Sequence, residues 1–147
     1  MAASIMEVAR TLGQLSGWSL SNLEMQKIAY IAEMLHLGRR DAPLINENWQ
    51  AWSYGPVQPD LYHKAKAFGA DPVRNVFFAS PLPSDSAGDK AVADAYELMK
   101  DLPPGKMINI THQPDGAWAG VYRAGQKNRT IPKSAMRAEY FTLINDD

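Results

Sequence analysis

No cysteine occurs in this chain of 147 residues. That excludes disulfides, thiolate zinc sites and cysteine nucleophiles, and it suits a reducing compartment. Long apolar runs are missing as well. The opening segment, Met1 to Arg10, carries Glu7 and Arg10 within its apolar stretch, so it reads as neither a signal peptide nor a membrane span, and a cytoplasmic protein without membrane contact is expected. Nor is there an excess of one charge. With 15 basic and 16 acidic residues the net charge is −1, which gives no overall attraction to nucleic acid or anionic lipid. A glycine-rich phosphate loop is absent: Gly55 and Gly69 stand alone, and Gly116, Gly120 and Gly125 lack the strand-then-helix setting of a phosphate cradle. No cofactor is expected. Internal repeats, heptads, low-complexity tracts and a helix-turn-helix signature are also missing.

What is present reads as one domain spanning residues 1–147, long enough for a real core. Ser4 followed by Glu7 makes a capping box, and Ile5, Val8, Leu12 and Leu15 form a stripe that ends at Gly17, predicting a helix over 5–16. A second box, Ser21 with Glu24, opens a helix reaching Gly38. Projected at about 100° per residue, it leaves only narrow polar strips, Glu24 with Lys27 and Gln26 with Glu33. A helix apolar on nearly all sides is buried, so this one is expected at the centre of the domain. Pro59 suits the first turn of a third helix ending at Gly69.

Val76, Phe77 and Phe78 between prolines suggest a short strand, paired with residues 49–54. Residues 81–89 form the clearest loop. Further helical patterns run from Val92 to Leu102, from Lys106 to His112 and around Trp118, and Pro132 opens a last helix with Met136, Tyr140, Leu143 and Ile144 facing inward. The sum is a mainly α, compact single domain of five or six helices around a buried central helix, with at most one short β-strand pair.

The segment from Trp49 to Tyr62 is the most unusual in the chain, with Trp49, Trp52, Tyr54 and Tyr62 set around Gly55, Pro56 and Pro59. It reads as a rigid turn wedged against a core. On an extended segment Trp52 and Tyr54 share a side, and Trp52 is expected to point inward while the Tyr54 hydroxyl reaches the surface.

Upstream stands the helix Leu23 to Leu37, which reads roughly L-x-K-L-x-Y-x-A-x-x-x-H-L from Met25 on, followed by Pro43-Leu44. Downstream stand Thr111-His112 and Trp118. This ordered set resembles the SocA/Panacea family, from about residue 20 onward. One departure is Ala117, where the family usually has proline before the late tryptophan.

The resemblance implies an antitoxin of a toxin–antitoxin or prophage-associated module that binds a cognate toxin protein directly. It also implies, for some members, an adaptor role that delivers the toxin to the ClpXP protease. On that likeness Trp52, Tyr54, Gly55, Pro56, Tyr62, His112 and Trp118 carry the motif, whether in contact with the partner or in support of the fold.

Two other classes compete with that reading. A small hydrolase would need His112 to meet a carboxylate in a pocket. A phage-associated regulator would bind nucleic acid through residues 123–137, where Arg123, Lys127, Arg129, Lys133 and Arg137 occur with no acid between them. The neutral charge balance makes nucleic acid the less expected partner. His36, His63 and His112 show no helical metal-site spacing with each other or with a carboxylate, so no metal is expected. His36 suits a structural role at a helix end, and His63 a solvated surface.

Overall fold

The computed structural model describes residues 2–144. Both capping boxes form as the sequence dictates. In α1 (Ile5–Ser16) the Ser4 hydroxyl accepts from the Glu7 N–H at 3.2 Å, and the Glu7 carboxylate accepts from the Ser4 N–H at 3.0 Å. Ser21 and Glu24 repeat the arrangement at the head of α2 (Asn22–Arg40). These exchanges satisfy amide groups that a helix start otherwise leaves open.

Helix α2 runs through the middle of the domain. Around it pack α1, α3 (Pro59–Ala65), α4 (Ala87–Met99), α5 (Pro104–Thr111) and α7 (Lys133–Ile144), while α6 (Ala117–Val121) leans on α7. The described residues thus hold seven α-helices and one turn of 3-10 helix after α3, one more helix than the upper sequence expectation of six, because Trp118 and its neighbours close a full helical turn.

The β structure also departs from expectation. Strands β1 (Trp49–Trp52), β2 (Gly55–Val57) and β3 (Thr130–Ile131) form an antiparallel sheet in the order β2-β1-β3. Trp52 faces Gly55 across the hairpin, and Trp49 faces Ile131 on the other side. Both edges of β1 are therefore taken, and none remains for residues 76–78, which form no strand. That segment is instead fastened by single contacts. Phe77 is buried and stacks on Trp18, Val73 N–H donates to the Leu20 carbonyl, Leu82 N–H donates to the Thr11 hydroxyl, and Phe78 is 98% exposed. Within 81–89 the loop is shorter than its composition suggests, since Leu82 is buried and Ser86 caps α4 from Ala87 on. In α7, Met136 faces inward as expected, but Leu143 and Ile144 lie largely exposed.

On β1 the pleat sends Trp49 and Ala51 into the core and Gln50 and Trp52 to the other face. Trp49 is wholly buried, its ring edge-on to Tyr30 at 5.3 Å. The expectation that Trp52 points inward is thereby corrected: Trp49 takes the core position, and Trp52 lies half-buried on the outer face.

Candidate functional site

The hairpin is tied to α2 by a reciprocal amide pair. Gln26 Nε2 donates to the Gln58 carbonyl at 3.1 Å, and Gln58 N–H donates to Gln26 Oε1 at 2.8 Å. Three of the four residues in the polar strips of α2 thus do not face water. Gln26, Lys27 and Glu33 are all buried, each turned toward a segment distant in sequence.

Lys27 is the most consequential of them. It is 2% exposed, and its Nζ donates to the Pro56 carbonyl at 3.3 Å. Burial pushes its ammonium down to about 7. Above it sits Gly55, whose φ of +119° lies in a region that L side chains avoid. A Cβ there would stand 2.5 Å from Lys27 Nζ, 3.2 Å from Thr111 Oγ1 and 3.3 Å from His112 Cδ2. Glycine is required at this position both by the backbone and by the side chains beneath it.

His112 ends α5 and lies flat on Trp118, with ring centroids 3.7 Å apart. Trp118 in turn stacks on Tyr122 at 4.7 Å, and its indole N–H donates to the Trp52 carbonyl at 2.7 Å. The stack locks the α5–α6 segment to the hairpin. Nε2 of His112 is buried with no hydrogen-bond partner in the described structure. The imidazole is held below its usual value by burial first and then by the Lys27 charge, against an opposing contribution from the Tyr54 backbone. It meets no carboxylate, so the acid–base pair that a hydrolase would need is not assembled among the described residues.

On the outer side Trp52 packs edge-on to Tyr62 at 4.8 Å, and Lys127 Nζ lies 5.0 Å above the Trp52 ring. Tyr54, at the tip of the turn, is 70% exposed. Beneath these rings opens a cavity of about 500 Å3 lined by Gln26, Lys27, Trp52, Tyr54, Tyr62 and Lys127, among others.

The structure therefore gathers Trp52, Tyr54, Gly55, Pro56, Tyr62, His112 and Trp118 around one face. It does not gather the basic residues of 123–137. Lys133 turns into the core to pair with Glu33, Arg137 pairs with Asp41, Arg129 bonds the Val121 carbonyl, and Arg123 bonds the Tyr122 carbonyl. Only Lys127 joins the aromatic face. His36 Nδ1 donates to the Ala42 carbonyl at 2.6 Å, the structural role its position suggested, and His63 is exposed. No cluster of metal-ligating side chains occurs among the described residues, and no described helix is long and apolar enough to cross a membrane.

The sequence profile described as Antitoxin SocA-like, Panacea domain, matches residues 25–119, which takes in every one of the gathered positions. The chain belongs to this family. The Antitoxin SocA of Caulobacter vibrioides (strain NA1000 / CB15N) is 26% identical to it over 109 residues, a match covering 67% of this chain and 58% of that protein. The chain thus spans little more than half the length of the curated relative it matches. No solved structure matches it significantly.

The Panacea motif residues divide by role once their neighbours are known. Tyr30 donates its hydroxyl to the buried Glu139 carboxylate at 3.2 Å, and the same Oε1 accepts from the Ala117 N–H at 3.1 Å. A proline at 117 would have no N–H to give. Ala117 is thus matched to Glu139, as is Gly116, where a Cβ would meet Glu139 Oε2 at 2.7 Å.

Sequence reasoning missed Lys27 as a site residue. The available signal was a lysine within the motif, on a helix that is apolar on nearly all sides.

Proposed function

We propose that this protein is an antitoxin that neutralises a cognate toxin by direct protein binding through the face around the β1–β2 turn. One observation carries the location: motif side chains from α2, the hairpin, α3, α5 and α6 converge on a single solvent-open face, with Tyr54 presented 70% exposed at the tip of a backbone fixed by Gly55 and Pro56. Exposed tyrosine beside half-buried tryptophan on a rigid support is the composition of an interface centre. Membership of the antitoxin family supports the class of partner. On this reading the protein is a binder and not a catalyst, and its interior polar groups hold the binding face in shape.

The test is co-expression with the adjacent reading frame. The neighbour alone should arrest growth, this protein should restore it, and the two should copurify. Tyr54→Ala should weaken the complex by about 2 kcal/mol with the melting curve unchanged, as expected of an aromatic anchor. The same strains separate two modes of action. Delivery to ClpXP shortens the toxin's lifetime and fails in a protease-deficient strain, whereas steric blocking leaves toxin levels constant. A harmless neighbour with no stable protein partner would sink the antitoxin reading.

A further inference from the structure

We propose that the cavity beneath the β1–β2 turn is a carboxylate pocket, in which an aspartate or glutamate side chain of the toxin enters between Trp52, Tyr54 and Tyr62 and pairs with Lys27; this rests on the proposed binding of a protein at the same face. The lining of the cavity holds two cations, Lys27 and Lys127, and no acid. Neither lysine belongs to any ion pair of the described residues. An ammonium has three donors, and that of Lys27 meets one carbonyl, Pro56, at the long distance of 3.3 Å. His112, which feels the Lys27 charge, is itself basic and adds no negative charge.

A buried cation with donors to spare is costly to keep. Lys133 shows what this chain does when such a charge serves the fold alone, since it pairs with Glu33 at 2.7 Å and also bonds the Ile45 carbonyl. Lys27 lacks that answer from within the chain, and it lines the cavity that opens to solvent under the motif rings. The position is held open by Gly55, because any side chain there would fill the space at Nζ.

The walls decide between anions. A phosphate group calls for a guanidinium fork or a run of convergent backbone N–H groups, and no arginine lines this cavity. A lysine among the lining of an aromatic slot matches one carboxylate on a short apolar stem. Lys127, exposed at the rim over Trp52, adds attraction at longer range.

The test uses the full chain with isotope-labelled lysine. N-acetyl-aspartyl methylamide, its asparaginyl counterpart and inorganic phosphate are titrated in turn while the Lys27 Cε and Trp52 indole signals are followed by NMR. The aspartyl probe is expected to shift both signals saturably, and the asparaginyl probe to bind at least about tenfold more weakly. In Lys27→Met the Trp52 response to the aspartyl probe should vanish. Equal binding of the two amino-acid probes, an undiminished response in Lys27→Met, or tighter binding of phosphate than of the aspartyl probe would each overturn the assignment. If Lys27→Met fails to fold, the comparison of probes on the wild type decides alone. A toxin that binds Lys27→Met as tightly as wild type removes the pocket and leaves the antitoxin reading. An aspartyl-specific response without any protein partner does the reverse.

Discussion

Helix α2 carries two buried charges that the protein treats in opposite ways. Glu33, fully enclosed, accepts from the Leu44 N–H through one oxygen and lies 2.7 Å from the Lys133 ammonium through the other, so one oxygen has a donor and the other a cation beside it. Lys27, nearly as enclosed, has one distant carbonyl and a basic neighbour. Removing an ion from water costs several kcal/mol, and only close opposite charge and hydrogen bonds return it. The Glu33 site meets that condition from residues of the chain itself and fastens α7 and the segment at 44–45 to the core. The Lys27 site does not, and it lies under the motif face. A polar group that the fold answers in full serves the fold, and one that it leaves half answered is held ready for something outside.

The sharpest way to break that comparison is to remove one lysine from each site. Lys133→Met leaves Glu33 as a buried carboxylate without its cation, and unfolding free energy is expected to drop by about 3–5 kcal/mol. Lys27→Met removes a charge that burial disfavours and should leave stability unchanged or higher. Urea melts at neutral pH measure both. Equal destabilisation by the two would mean that Lys27 is as integral to the fold as Lys133.

The two tryptophans of β1 repeat the division on a smaller scale. Trp49→Ala empties a fully enclosed site and should cost about 3–5 kcal/mol. Trp52→Ala, on the half-buried outer face, is expected to cost about 1 kcal/mol while weakening partner binding by about 2 kcal/mol. Thermal melts beside pull-down affinities would show it. A Trp52→Ala protein as unstable as Trp49→Ala would return Trp52 to the core.

Lys27 also leaves a signature in the pH dependence of stability. Its folded value of about 7 lies below the ordinary lysine value of 10.5, so between these limits the unfolded chain binds more protons. Stability must then rise with pH across that window, because the penalty of burying the charge is fully present below about 7 and is relieved as the unfolded group also loses its proton. From pH 7.5 to 9.5 the gain should be about 2 kcal/mol, and Lys27→Met should lack it. Denaturant melts in that range avoid Tyr30, whose raised value makes stability fall at higher pH. A flat wild-type profile would mean that Lys27 keeps its proton, held by an anion already.

Much of the fold was legible because its signals are local. Ser4 with Glu7 and Ser21 with Glu24 mark helix starts within four residues, and the apolar circumference of α2 places it in the centre without reference to any other segment. The missed features depend on partners far along the chain. Glu33 and Lys133 meet only after α7 packs, and Lys27 finds Pro56 only once the hairpin closes, so in the sequence Lys27 and Glu33 read only as members of narrow polar strips on α2. Strand β3 is two residues with no period to detect, yet its place beside β1 is what denies an edge to Phe77. On β1 the period of two was visible, but its phase was not: whether Trp49 or Trp52 faces the core is decided by Tyr30 waiting on α2. The site followed the same rule, with the motif rings recognisable by type and the lysine beneath them hidden by its helix.

The smallest effect concerns Ala117, the residue before the late tryptophan. Ala117 gives its N–H to Glu139, whose carboxyl is raised by burial while this bond and the one from Tyr30 pull the other way. Ala117→Pro deletes the donor, which costs about 1 kcal/mol for a hydrogen bond to a buried acceptor. Proline suits the first position of α6 and restricts the unfolded chain, returning about 0.4–1 kcal/mol. The expected net change is therefore a loss below about 1 kcal/mol at neutral pH. It should shrink under acid, where Glu139 binds its proton earlier in the folded state and needs the donor less. Melting temperatures at pH 5 and pH 7.5 test this. A loss of the same size at both pH values would show that Glu139 is already neutral in the native protein.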